Sequence, residues 1–205
     1  PCLCTPSVNW PPLPRGVNTV HLRQPSICST LMTAPEVGIE FTIRLVDMMY
    51  TTKPALSRRI VLIDIENTVG GGVSMSKQVN GAQAAIASAV VPRVDDQVVV
   101  ACGRFSVDVV GFEWRGPRRL VFRAGTNGAD LELLDILETE RVNDRFAEIV
   151  IVSGDGIFAE AVSRLGLYSD ITVASRPESC SWTLRMAAKR VLDIDYDPNA
   201  IMEAA

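Results

Sequence analysis

Three short clusters in the chain set carboxylates among turn-forming residues. Asp64, Glu66 and Asn67 close the apolar run Ile60-Val61-Leu62-Ile63, and Asp130 follows Asn127-Gly128-Ala129. Asp155 lies in Ser153-Gly154-Asp155-Gly156, directly after the run from Ile149 to Val152. Carboxylates brought together repel one another and are costly unless a cation neutralises them. Oxygen donors without His or Cys favour Mg2+ or Mn2+ over zinc. Such an ion activates water and stabilises an in-line attack on phosphate. Each cluster taken singly also has a plain structural reading. Asp64 and Asn67 suit an Asx-turn or a helix cap. The Gly154-Asp155-Gly156 turn suits backbone angles that glycine tolerates, and Asp130 complements a helix dipole. Asp135 lies about 140° from Asp130 around an ideal helix, so it ranks well behind Asp130 as a ligand.

Phosphate chemistry also calls for cations. Arg104, Arg115, Arg118, Arg119 and Arg123 crowd the middle of the chain, and Arg176, Arg185, Lys189 and Arg190 follow near its end. Most exposed arginines are only solvated surface, so each one is weak as a ligand by itself. Trp114 and Trp182 could stack on bases, but core packing is the preferred reading of both. Gly70-Gly71-Gly72 is not followed by the Gly-Lys-Ser/Thr of a P-loop and reads as a loop over the site.

These clusters need elements to position them. From Ile60 onward the pattern alternates between short apolar runs and amphipathic stretches. Strands are expected at residues 60–63, 98–102, 119–123, 149–152, 171–174 and 191–194. Helices are expected at about 77–90, 129–141, 157–165 and 181–190. Leu131, Leu134 and Leu137 are read as the inward face of the second helix, and Phe105 to Phe112 is ambiguous between strand and helix. Strands separated by helices of this length imply βαβ units. The expected fold is α/β, with a doubly wound, mainly parallel sheet and helices on both faces. In such a sheet, ligands bind at the carboxyl edge, where all three clusters would fall.

The first 57 residues differ in character. Eight of the twelve prolines fall within the first 54 residues, which predicts a largely disordered arm. Within it, alternation over residues 37–45 has the period of a half-buried strand. The folded domain is expected over 58–197, with a short tail over 198–205. Net charge is -4, so the overall field repels polyanions and a nucleic acid must meet a local basic patch. No apolar run reaches the roughly 20 residues of a membrane span, and no membrane partner is expected. Five scattered cysteines beside the single His21 make no zinc spacing and suggest a reducing cytoplasm. Cys102 and Cys180 are read as core or near-core residues, and His21 is given no role. The sequence is compatible with a homodimer.

In their order, Asp64-x-Glu66-Asn67, Asn127-Gly128-Ala129-Asp130 and Ile151-Val152-Ser153-Gly154-Asp155-Gly156-Ile157-Phe158 resemble the NYN domain family, relatives of the PIN-domain nucleases. The resemblance covers about residues 58–195. It implies a PIN-like fold and a metal-dependent ribonuclease. It further implies Mg2+ or Mn2+ held by Asp64, Asp130 and Asp155, and Asn67 orienting water or substrate. Glu66, Ser153 and Asp135 would give support, and Arg104, Arg123 and Arg185 would hold the RNA backbone. Many members carry a second acid where this chain has Ile157.

Two other readings stand beside it. Asp64-Ile65-Glu66-Asn67-Thr68 comes within one methylene of the D-x-D-x-T strand end of haloacid dehalogenase-type phosphohydrolases, which would make Asp64 a nucleophile. Ile157 favours a degenerate domain of the NYN type that binds RNA or a protein and no longer cleaves.

Overall fold

The computed structural model describes residues 58–203. The proline-rich arm, the alternation over 37–45, His21 and the three cysteines before residue 58 lie outside the described residues. The apolar runs form six strands: β1 (Arg59–Asp64), β2 (Gln97–Gly103), β3 (Arg119–Arg123), β4 (Glu148–Val152), β5 (Asp170–Ser175) and β6 (Arg190–Asp193). They make one sheet in the order β3-β2-β1-β4-β5-β6, with every neighbouring pair parallel. β1 and β4 are central and almost wholly buried, which accounts for their unbroken apolar runs. From β1 the chain first adds strands on one side, through β2 to β3, and then returns to add β4, β5 and β6 on the other. The order therefore reverses between β1 and β4. At such a point the connections diverge and leave a crevice beyond the carboxyl ends of the strands.

The helices are α1 (Ile65–Val69), α2 (Ser76–Val90), α3 (Val107–Glu113), α4 (Gly128–Thr139), α5 (Val142–Arg145), α6 (Ala159–Leu165), α7 (Trp182–Ala187) and α8 (Pro198–Glu203). Successive strand residues point to opposite faces of the sheet, and β1 feeds two cores accordingly. Ile60 and Leu62 pack with Leu133, Ile136 and Leu137 of α4, Leu165 of α6 and Leu184 of α7. Val61 and Ile63 pack with Val69 of α1, Val79, Ile86 and Val90 of α2, and Val110 of α3. The doubly wound α/β fold expected from the sequence is the fold observed.

Several local readings need correction. The inward face of α4 is Ala129, Leu133, Ile136 and Leu137, whereas Leu131 is exposed. Spacing of i, i+4, i+7, i+8 winds one helix face onto the sheet, and this register also turns Asp130 inward. The ambiguous stretch is helix α3, but its inward residue is Val110, with Phe105 and Phe112 exposed. The chain after Asp155 opens as a 3-10 turn, Gly156–Phe158, before α6 begins. The last expected helix is shorter than read, because Ala188 is already extended and Arg190 opens β6. Trp114 is core, as preferred, but Trp182 is 72% exposed at the start of α7. Cys102 is buried and Cys180 only partly so; both are free. Among the described residues, no helix is long and apolar enough to cross a membrane.

The amino end of β1 carries a buried charge. Arg59 is 5% exposed and donates Nε and Nη2 to the two carboxylate oxygens of Asp96, at 2.8 and 2.6 Å. It also donates to the Val90 and Val91 carbonyls. Four donated bonds fix β1 against the end of α2 and the approach to β2.

Candidate functional site

Asp64 is the last residue of β1 and the N-cap of α1. Its Oδ1 accepts from the backbone N–H groups of Glu66 and Asn67, at 3.1 and 3.2 Å. The helix cap recognised in the sequence is therefore real, and it also aims the carboxyl. With one oxygen engaged by the backbone, Oδ2 faces the β1/β4 crevice, where the Ser153 hydroxyl lies 3.5 Å away. Asp64 is 3% exposed. Burial and then the neighbouring Asp130 carboxyl hold its pKa well above the usual carboxylate range, with Glu66 adding to the rise and the Asn67 N–H opposing it.

Asp130 reaches the same place from α4. Asn127 has left-handed backbone angles (φ 56°). Gly128 then passes so near β3 that an added Cβ would sit 2.2 Å from the Arg123 carbonyl oxygen. This turn leads the first residues of α4 over the sheet edge, and Asp130, 8% exposed, points inward. Its pKa is raised as well, foremost by burial, then by the charges of Asp155 and Glu66, while the hydrogen bond shared with Asp64 works against the rise. Asp130 Oδ1 is buried and has no hydrogen-bond partner among the described residues. A buried, orphaned carboxylate oxygen is costly unless something binds it.

The β4 turn is fastened to this pair. Asn67 Oδ1 accepts from the Gly154 N–H at 2.8 Å, and Ser153 Oγ accepts from the Asp155 N–H at 3.2 Å. Gly154 is obligatory, since a Cβ there would sit 2.2 Å from the Ser179 carbonyl oxygen. Asp155 caps the following turn by accepting from the Ile157 N–H. Ile157, which stands where an acid was expected by resemblance, packs instead against the apolar core. Glu66 is held by the Ser106 hydroxyl at 2.5 Å, and Ser106 Oγ accepts from the Val73 N–H. Close by, burial, with the Glu66 and Asp64 charges adding, pushes the Cys102 thiol up to about 12, so it stays protonated and takes no nucleophilic role.

Asp64, Glu66, Asn67 and Asp130 wall a cleft of about 320 Å3, together with Gly70, Gly71, Asn127, Arg176 and Ser179. Asp155 stands at its margin, near enough to act on Asp130 but outside the wall. Asp135 is on the exposed side of α4. Arg104 and Arg185 are exposed and outside the cleft, and Arg123 is engaged with Glu132. The guanidinium that does reach the cleft is Arg176, which the sequence offered only as one of many arginines. Its signal is its place directly after β5, at the same sheet edge as the acids. Among the described residues, no three His, Cys, Asp or Glu side chains are grouped as a metal ion needs. The geometry brings together two of the three acids expected by resemblance. A larger cavity, about 450 Å3, lies at the amino edge between α2 and the Trp114–Pro117 turn. Its lining is mainly apolar, and its Asp96 and Gln83 are engaged in structural bonds, so the reactive groups are in the smaller cleft.

No family model matches the chain, and no curated protein matches it. The chain is similar to the solved structure of a protein of unknown function from Vibrio parahaemolyticus, at 18% identity and a TM-score of 0.45. That match covers 68% of this chain and 93% of the other. The chemistry is therefore read from the cleft itself.

Proposed function

We propose that the protein is a Mg2+- or Mn2+-dependent endoribonuclease that hydrolyses RNA phosphodiesters at the Asp64–Asp130 cleft. The observation that carries this reading is the facing pair of buried carboxyls, one with an orphaned oxygen, in a cleft that also holds an arginine. The donor set fits a hard cation. Mg2+ keeps most of its waters and is commonly held by one or two carboxylates plus substrate phosphate oxygens, so two acids suffice. Asp64 and Asp130 would hold the ion, with Asp155 reinforcing the negative field from the margin. When bound, the ion acidifies water and shields the charge of the phosphate. Asn67 keeps the β4 turn in place, and Ser153 braces Asp64 and Asp155. The free thiols of Cys102 and Cys180 suit a reducing cytoplasm, where RNA is at hand.

The test is cleavage of mixed-sequence RNA in Mn2+ and in EDTA, with p-nitrophenyl phosphate as the competing substrate. Internal cleavage that needs Mn2+ is expected. It should fall at least about 100-fold in Asp64→Asn and Asp130→Asn, more than the 10- to 100-fold typical of groups that only support a metal ligand. Asp155→Asn should cost roughly 10-fold. Release of p-nitrophenol without RNA cleavage would overturn the reading in favour of a haloacid dehalogenase-type phosphohydrolase with Asp64 as nucleophile. A second reading is favoured by Ile157, whose apolar packing leaves the site one acid short: a non-catalytic RNA-binding domain. Bound RNA without any cleavage would establish that one.

A further inference from the structure

The two edges of Arg176's guanidinium are used differently. Nη1 donates to Glu178 Oε1 at 2.6 Å. Nε is buried and has no partner, and Nη2 lies against Gly70, donating to no group among the described residues. The side chain as a whole is 11% exposed, so this is no loose surface arginine. Nε–H and Nη2–H lie along one side of the guanidinium and form a planar two-donor fork that matches two oxygens of one anion. The protein uses that edge elsewhere, where Arg59 grips both oxygens of Asp96 through the same two atoms. In Arg176 the edge is unpartnered, beside a cleft whose remaining charged groups are acids.

Only one corner of that edge meets the cleft. Nε is sealed inside the protein, whereas Nη2 lies beside Gly70, which lines the cleft together with Arg176. A Cβ at Gly70 would lie 3.4 Å from Nη2, in ordinary contact, so glycine is required there by its φ of +82° and not by space.

We propose that Arg176 is the phosphate-binding arm of the cleft, its Nη2 donating to a non-bridging oxygen of an RNA phosphodiester while Glu178 holds Nη1. A neutral substrate would leave the guanidinium charge unmatched at the cleft, and a carboxylate ligand would face the acids without the tetrahedral oxygens that bridge to a cation. The choice of RNA rests on the nuclease reading, whereas the phosphate arm does not.

The experiment is binding of a fluorescent single-stranded RNA decamer in EDTA, followed by anisotropy over a salt series. Wild type is compared with Arg176→Ala, Arg176→Lys and Arg185→Ala. Arg176→Ala should weaken binding about 10-fold and lower the log–log salt slope by about 0.7, the value of one lost contact to single-stranded nucleic acid. Arg176→Lys should keep the slope but lose several-fold in affinity, because an ammonium cannot bond Glu178 and a phosphate from opposite ends of one rigid plane; it also guards against a misfolded alanine variant. Arg185→Ala should stay within twofold of wild type. Binding by Arg176→Ala within twofold of wild type would overturn the proposal. If wild type binds no RNA, the nuclease reading fails, and calorimetric titration of the same proteins with pyrophosphate decides the arm separately. Pyrophosphate binding that is lost in Arg176→Ala supports it, and absence of binding in wild type overturns it.

Discussion

β1 holds a buried charge at each end, and the fold treats them in opposite ways. At the amino end, Arg59 meets an opposite charge in bidentate geometry and two carbonyls besides. Although burial alone would raise it, Asp96 ends below its ordinary pKa because of the bond from Arg59, the Arg93 N–H and both guanidinium charges. At the carboxyl end, Asp64 meets a second buried carboxyl and a nearby Glu66, and its pKa rises. Every polar need is met at one end, and at the other an oxygen is left over. Burial and conventional bonding are common to both, so neither marks the functional end. The mark is like charges held together with a carboxylate oxygen to spare.

This contrast can be broken first at its stable end. Arg59→Met leaves the Asp96 carboxylate without its bidentate partner, held only by the Arg93 N–H, and should cost about 3–5 kcal/mol in urea unfolding at pH 7. The opposite end should respond with the opposite sign. Asp130→Asn removes like-charge repulsion and, with chelator present at pH 8, should stabilise by on the order of 1 kcal/mol. The two ends also sharpen into opposite pH limbs. A lowered pKa at Asp96 contributes stability present above its ordinary 3.8 and lost as pH falls through the folded value. Raised pKa values at Asp64 and Asp130 contribute stability present below 3.8 and lost as pH rises through their folded values. Chelated wild type should therefore lose stability on both sides of a mildly acidic optimum. Arg59→Met should flatten the acid limb, and Asp130→Asn the other. The smallest effect is expected where charges pair at the surface. Arg123→Ala breaks a part-exposed pair with Glu132 and should change stability by no more than about 0.5 kcal/mol.

How much of this was legible in the sequence depended on whether a feature is local. The strands could be read because their unbroken apolar runs are the direct consequence of burial on both faces. Asp64 and Ser153 could be placed because each follows such a run immediately. On the inward face of α4, Leu137 was read rightly and Leu131 wrongly, because a regular spacing of three drifts off a helix face. Its true face is set by how Gly128 docks on β3. Arg176 was hidden for a similar reason. Its neighbours in the cleft, Gly70 and Asp130, are distant in sequence, and only its place directly after β5 separates it from Arg185 or Arg190. Trp182 was misjudged because α7 is short and shows the sheet only Leu184 as a fully buried residue.

The bond from the Gly154 N–H to Asn67 spans 87 residues, and the contact of Ser153 with Asp64 spans 89. During synthesis, β1 and its acids emerge long before the strand that must lie beside them. The chain in between has to fold into two strands and five helices before β4 can close the crevice. Contacts of such long range form late, after their loop-closure cost is met. An incomplete chain therefore carries the acids of β1 without the cleft, and the proposed hydrolysis is withheld until β4 has docked on β1.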